Sequence, residues 1–178
     1  MTKKIQIIRV IGSHENDYPS LSYPLGRLIC DLGYHLLTGA GGGVMTKVAK
    51  AFTESEDRPG KCIGIYPVEK NPDISNKQIY PNPYIEIPII VPLLPKADHH
   101  AMPYSRNLVN VMSSDIVIAL PGLHGTKTEV SYAIQIQKPL VLFGPEGEFQ
   151  GFPQDPARLR EIDEVDRFIR ENIEIDGH

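Results

Sequence analysis

The stretch Asp115-Ile116-Val117-Ile118-Ala119-Leu120-Pro121-Gly122-Leu123-His124-Gly125-Thr126-Lys127-Thr128-Glu129 decides how this chain is read. A β-branched apolar run stops at a turn with two glycines, and the turn opens a segment with Thr at its start and Glu three residues on. A buried strand, a tight turn and a helix fit this pattern. Such a turn aims unpaired backbone N–H groups and the positive end of a helix at one spot, a seat for phosphate. Glu129 leaves a carboxylate beside that seat, which suggests chemistry on a nucleotide. Thr126-x-x-Glu129 also fits a capping box, which needs no ligand.

Outward from this stretch, strand and helix patterns alternate. Ile5–Ile11 reads as a strand ending at Gly12-Ser13, and Tyr18–Asp31 as a helix capped by Gly33, with Pro24 marking a start near Ser22 or a kink. His35–Thr38 is a second strand running into Gly39-Ala40-Gly41-Gly42-Gly43, and Val44–Phe52 a second helix. Lys61–Tyr66 and Tyr84–Val91 read as strands around an irregular Pro67–Pro83 excursion, and Pro92–Ala101 breaks the pattern again. Met102–Ser114 is a helix leading into the Ile116 strand. Thr126–Gln137, Leu140–Phe143 and Asp155–Asn172 read as helix, strand and amphipathic tail helix, with Pro156 in the tail's first turn. The fold class expected is α/β: a single Rossmann-like domain over residues 1–178, its parallel sheet flanked by helices on both faces. Ligands of such sheets bind at the carboxyl edge, where Gly12-Ser13, Gly39–Gly43 and Pro121–Thr126 would gather.

Composition narrows the function. Charged residues make up 22% of the chain and hydrophobic ones 41%, as in an ordinary globular protein. The formal charge of −4, with no basic block beyond Lys3-Lys4, argues against a nucleic-acid partner. No apolar run of about 18 residues exists, and Ile5–Ile11 is too short for a signal segment, so a cytoplasmic protein with no membrane partner is expected. Cys30 and Cys62 sit in apolar stretches and read as buried thiols. No metal site is expected, because Asp98-His99-His100 has no further ligands at zinc-like spacing. His14 and His35 read as structural.

Several residues stand out as ligand contacts. Gly41, Gly42 and Gly43, followed by Val44 and Met45, let backbone approach an anion, although no P-loop Lys follows. Gly12 and Ser13 close the first strand, and Pro121, Gly122, His124, Gly125 and Thr126 form the third loop. Arg106, on the helix before the Ile116 strand, can clamp a phosphate or carboxylate at the same edge.

These residues carry a family likeness. Pro121-Gly122-x-x-Gly125-Thr126-x-x-Glu129 resembles the PGGxGTxxE signature of the LONELY GUY-type phosphoribohydrolases, long mislabelled as lysine decarboxylases. Arg106 stands at a spacing similar to that of the family's active-site arginine, and Gly39–Met45 is similar to its GGGxxGLM loop. The resemblance covers roughly Ile5 to Pro145. It implies cleavage of the N-glycosidic bond of a nucleoside 5′-monophosphate, giving free base and ribose 5-phosphate without a cofactor. Glu129 would stabilise an oxocarbenium-like ribose or activate water, and Arg106 would orient the sugar phosphate. It also implies a homodimer or larger assembly, with the Met102–Ser114 helix as one contact surface.

The chain departs from the signature at Leu123, where the family has glycine, and at Asn107, where phosphoribohydrolases commonly have Lys. Tyr80–Pro88 and Ser105-Arg106-Asn107 look more like the branch that includes molybdenum-cofactor carrier proteins, which bind a phosphorylated pterin. The alternative function is therefore a carrier that releases its ligand unchanged. Glu129 tips the expectation toward hydrolysis, because a carboxylate near a phosphate costs affinity unless a cationic sugar state offsets it. Lysine decarboxylation is not expected: it would need a pyridoxal phosphate pocket with a Schiff-base lysine, and Lys127 is the signature's only lysine.

Overall fold

A computed structural model describes residues 6–67, 80–91 and 106–174. Ile5, most of the Pro67–Pro83 excursion, the 92–105 stretch with Asp98, His99, His100 and Ser105, and the start expected at Met102 lie outside the described residues. The elements run β1 (Ile7–Ile11), α1 (Pro19–Asp31), β2 (His35–Thr38), α2 (Val44–Thr53), β3 (Cys62–Pro67), β4 (Ile87–Val91), α3 (Arg106–Met112), β5 (Ile116–Ala119), α4 (His124–Gln135), β6 (Leu140–Phe143), β7 (Ala157–Leu159) and α5 (Ile162–Glu174). The strands form one sheet in the order β4-β3-β2-β1-β5-β6-β7, and every pairing is parallel. The α/β Rossmann-like fold class read from the sequence is the one observed.

Period-two alternation divides the core. Ile8 and Val10 of β1, with Ile116 and Ile118 of β5, pack against Leu25 and Ile29 of α1, Val48 and Phe52 of α2, and Val165 and Ile169 of α5. Ile11, Val117 and Ala119 face the other way, against Val111 of α3 and Val130 and Ala133 of α4. Arg9, between Val10 and Ile8, shares the face of Ile11 and so lies beneath α4. This parity turns a charged residue in an apolar strand into a site residue.

Four readings are settled or corrected. First, α1 runs from Pro19 to Asp31 as the Tyr18–Asp31 reading expects, starts ahead of Ser22, and continues through Pro24. Second, β4 is shorter than Tyr84–Val91, because Asn82 and Tyr84 are held by loop hydrogen bonds before the strand begins at Ile87. Third, the tail is no continuous helix from Asp155. Ala157–Leu159 instead pairs with β6 as an edge strand, and α5 starts at Ile162, where Glu164 accepts from the Arg160 and Glu161 N–H groups. Fourth, α4 starts at His124, so Thr126 lies inside it, and the preceding Leu123 makes no side-chain cap bond. The Thr126–Glu129 capping box does not form, because Leu123 and not Thr126 is the N-cap, and the Glu129 carboxylate is engaged by Arg9.

Candidate active-site cleft

The order in which strands are added reverses between β1, which leads outward to β2 on one side, and β5, which leads to β6 on the other. The loops after these two strands separate there and leave a crevice, the usual ligand position of such a sheet. Ser13 N–H donates to the Pro121 carbonyl at 2.9 Å, and Val44 N–H to the Ser13 carbonyl at 2.9 Å, so all three glycine-bearing loops are tied together. The Ser13 hydroxyl oxygen accepts from the Glu15 and Asn16 N–H groups at 3.2 and 2.9 Å. The resulting cleft has a volume of roughly 280 Å³, near the lower end for small-molecule sites.

Arg9 and Glu129 line it. Arg9 Nη2 donates to Glu129 Oε1 at 2.5 Å, with 2% of Arg9 and 8% of Glu129 exposed. The carboxylate therefore reaches down to β1 and not back to its own helix terminus. Nε and Nη1 of Arg9 are buried without a hydrogen-bond partner among the described residues. Burial lowers the Arg9 pKa from its ordinary value. The Glu129 carboxylate opposes that shift, and the charge of Arg106 adds to it.

Arg106 and Asn107 enter from the first turn of α3, and both line the cleft. Arg106 Nη2 donates to Asn107 Oδ1 at 3.2 Å, so the guanidinium keeps donors for a ligand. Gly125 and Thr126, in the first turn of α4, line the cleft without a side-chain cap at Leu123. Their N–H end of the helix favours an anion. Glu15 stands exposed at the mouth, where water screens it.

The glycine run reaches the cleft at Gly39 and packs against the loop after β1 at Gly41–Gly43. A Cβ on Gly41 would meet the His14 ring at 2.7 Å, and one on Gly43 would meet the His14 backbone at 2.7 Å. Gly43 also has φ +57, a region that favours glycine. The run lies against the loop after β1 and braces it. Asn82 fastens it from the other side: its N–H donates to the Ala40 carbonyl at 2.8 Å and its Nδ2 to the Gly41 carbonyl at 3.1 Å.

Of the residues singled out from sequence, Gly12, Ser13, Met45, Arg106, Asn107, Gly125, Thr126 and Glu129 line the cleft. Gly41, Gly42, Gly43, Val44, Pro121, Gly122 and His124 do not: Val44 is core, Pro121 and Gly122 shape the turn, and His124 is exposed. Sequence reasoning missed Arg9, and His14, read as structural, lines the cleft with Tyr80 at 5.9 Å between ring centroids. The signal for Arg9 was a lone charge in an apolar strand. Leu123, at the family's glycine position, has φ −100, which suits any residue, and projects at the rim 72% exposed. Lys127 Nζ sits 5.3 Å from the Phe152 ring centroid, outside the cleft. Among the described residues no group of three His, Cys, Asp or Glu side chains is placed to hold a metal, and no helix is long and apolar enough to cross a membrane.

A sequence profile of the SLOG cluster4 family matches residues 5–169. An uncharacterised protein of Archaeoglobus fulgidus is 29% identical over 150 residues, which cover 83% of this chain and 86% of that protein. The structure of the molybdenum cofactor binding protein from the phototrophic bacterium Rippkaea orientalis is similar with a TM-score of 0.72 and 28% identity, over 97% of this chain and 99% of that one. The molybdenum cofactor carrier protein of Chlamydomonas reinhardtii shares the fold, with a TM-score of 0.69 at 23% identity, over 96% and 99% of the two chains. These matches agree with the resemblance carried by Pro121–Glu129 and Tyr80–Pro88.

Proposed function

The chain belongs to the SLOG cluster4 family, and on that footing we propose that its cleft binds a phosphorylated heterocycle and releases it unchanged. A pterin of the molybdenum-cofactor kind is the first candidate. The observation that carries this reading is the Arg9–Glu129 ion pair. From sequence, a carboxylate beside a phosphate argued for a cationic transition state. Arg9 removes that argument, because a carboxylate already paired with a buried cation repels an incoming phosphate far less. The same pairing weakens Glu129 as a stabiliser of a sugar cation. Asn107 in place of a lysine supports the reading, as does the ligand named for the Rippkaea orientalis protein.

Hydrolysis of a nucleoside 5′-monophosphate is the second reading. It is favoured by Glu129 and Arg106 lining one cleft, with Glu129 slightly open to it. One comparison separates them: native mass spectrometry of protein purified from its own host, beside ribose 5-phosphate release from a panel of nucleoside monophosphates. A co-purifying pterin with no release supports the carrier, and release overturns it. Self-association is part of the same proposal, supported by exposed Met112 on α3 and by Ile89 and Ile90 on β4. Light scattering at the mass of one chain would contradict it.

A further inference from the structure

Nothing in the family signature explains Arg9. It is a fully buried guanidinium on the central strand, with one strong bond to Glu129 and two donor atoms, Nε and Nη1, without partners among the described residues. Burying such an ion is costly, and apolar residues of similar size would serve the fold as well or better. β1 is otherwise apolar from Ile7 to Ile11, so packing alone gives no reason for a charge there. The cleft gives one. Glu129 and Arg106 both face it, and Arg9 is close enough to Arg106 for their charges to interact.

We propose that Arg9 is the specificity-determining counter-ion of the site: by cancelling Glu129 from below, it makes a carboxylate-floored cleft accept a phosphate. Arg9 acts through Glu129 and is a positioning residue, since the exposed side of the pair is the carboxylate. The inference rests on the phosphate-binding reading above. Among the described residues, the other charged or titratable groups lining the cleft are His14 and Glu15 from the loop after β1, Tyr80 from the segment before β4, and Arg106 from α3, and none of them touches Glu129 as Arg9 does. Removing Arg9 leaves the carboxylate without its counter-charge, so that it repels a phosphate.

Calorimetry at pH 8 with AMP and inorganic sulfate as probes tests this on wild type, Arg9→Met, Glu129→Gln and the double variant. Arg9→Met is expected to weaken binding of both probes roughly tenfold or more. Glu129→Gln, which keeps an acceptor for Arg9 but no charge, is expected to tighten binding about tenfold. The double variant is expected to recover most of the loss. Weaker binding by Glu129→Gln overturns the inference, as does Arg9→Met that binds both probes as tightly as wild type. If Arg9→Met fails to fold, Glu129→Gln and the double variant still decide. Wild type that binds neither probe overturns the phosphate-binding reading itself, and this inference with it. Wild type that binds while the variants ignore charge overturns only the role of Arg9.

Discussion

Arg9 of β1 and Glu129 of α4, 120 residues apart in sequence, meet in a 2.5 Å ion pair beneath the loops that follow β1 and β5. The pair joins the central strand to the helix whose N-terminus forms one wall of the cleft, so it couples fold to site. Breaking a buried pair strands a charge. Arg9→Met or Glu129→Leu alone is expected to lower stability by about 3–5 kcal/mol, and the double apolar variant by much less. Urea midpoints of the three variants check this. A capping role for Glu129 would have limited the loss to about 1 kcal/mol.

Asn82 offers a second test, aimed at the glycine run. Its buried side chain donates to the Gly41 carbonyl and accepts from the Tyr84 N–H. Asn82→Ala removes both bonds and leaves the Gly41 carbonyl, among the described residues, with the Thr46 hydroxyl. The expected stability loss is about 1–3 kcal/mol. Hydrogen exchange should rise at Gly41–Gly43 before it rises in β1, because the loop is released while the strand is not. Equal acceleration in both would mean that Asn82 supports the sheet as a whole.

The sheet and its crevice were legible because parallel strands buried on both faces leave long apolar runs, and because glycines mark the turns between them. The edge was less so. Three residues, Ala157–Leu159, carry no period that separates a strand from a helical turn, and Pro156 reads equally well in either. The capping box is absent because α4 begins two residues before Thr126, and the Glu129 carboxylate instead meets Arg9, a partner from a distant strand. Arg9 itself was hidden by reading Ile5–Ile11 as uniformly apolar. Strand parity alone puts it on the α4 face, but its meeting with Glu129 depends on β1 lying next to β5, which no local pattern reveals.

Glu86 makes part of the stability pH-dependent. Burial pushes its carboxyl up, but the Cys62 N–H at 2.8 Å, Arg58 at 2.8 Å and Lys61 at 3.5 Å outweigh burial, and the pKa lies below the ordinary carboxylate value. A depressed folded-state pKa gives stability that is present above the unfolded value of about 4.3 and lost as pH falls through the folded one. Wild type is therefore expected to lose more stability than Glu86→Gln between about pH 5 and the folded-state value. Thermal midpoints across that range check it, and parallel curves would refute it.

The two thiols give a simpler expectation. Cys30 and Cys62 are buried and free, and burial pushes the Cys62 thiol up to about 12, with Glu86 adding to the shift and Arg58 opposing it. A thiol needs its anion to react. Native protein near neutral pH should show almost no Cys62 reaction with a disulfide reagent, and denatured protein should show both thiols. Rapid native labelling of Cys62 would mean that the β3 region opens readily.

Arg106 should behave as the opposite of Arg9, although the residue type is the same. Arg9 is buried at the floor of the cleft and bonded to a carboxylate, so its loss falls first on the fold. Arg106 is partly exposed, lines the cleft, and bonds only weakly to its neighbour Asn107 at 3.2 Å. Its removal leaves no buried partner stranded, so Arg106→Ala should move the urea midpoint by less than about 1 kcal/mol. A charge-assisted bond to a phosphate is worth about 1.5–3 kcal/mol, so AMP affinity should fall roughly ten- to a hundredfold. Arg106→Lys keeps the charge but not the planar fork, and should recover only part of that loss. If Arg106→Ala instead destabilises the fold while sparing AMP affinity, the guanidinium is a strut of α3, and the cation that meets the phosphate has to be sought elsewhere in the cleft.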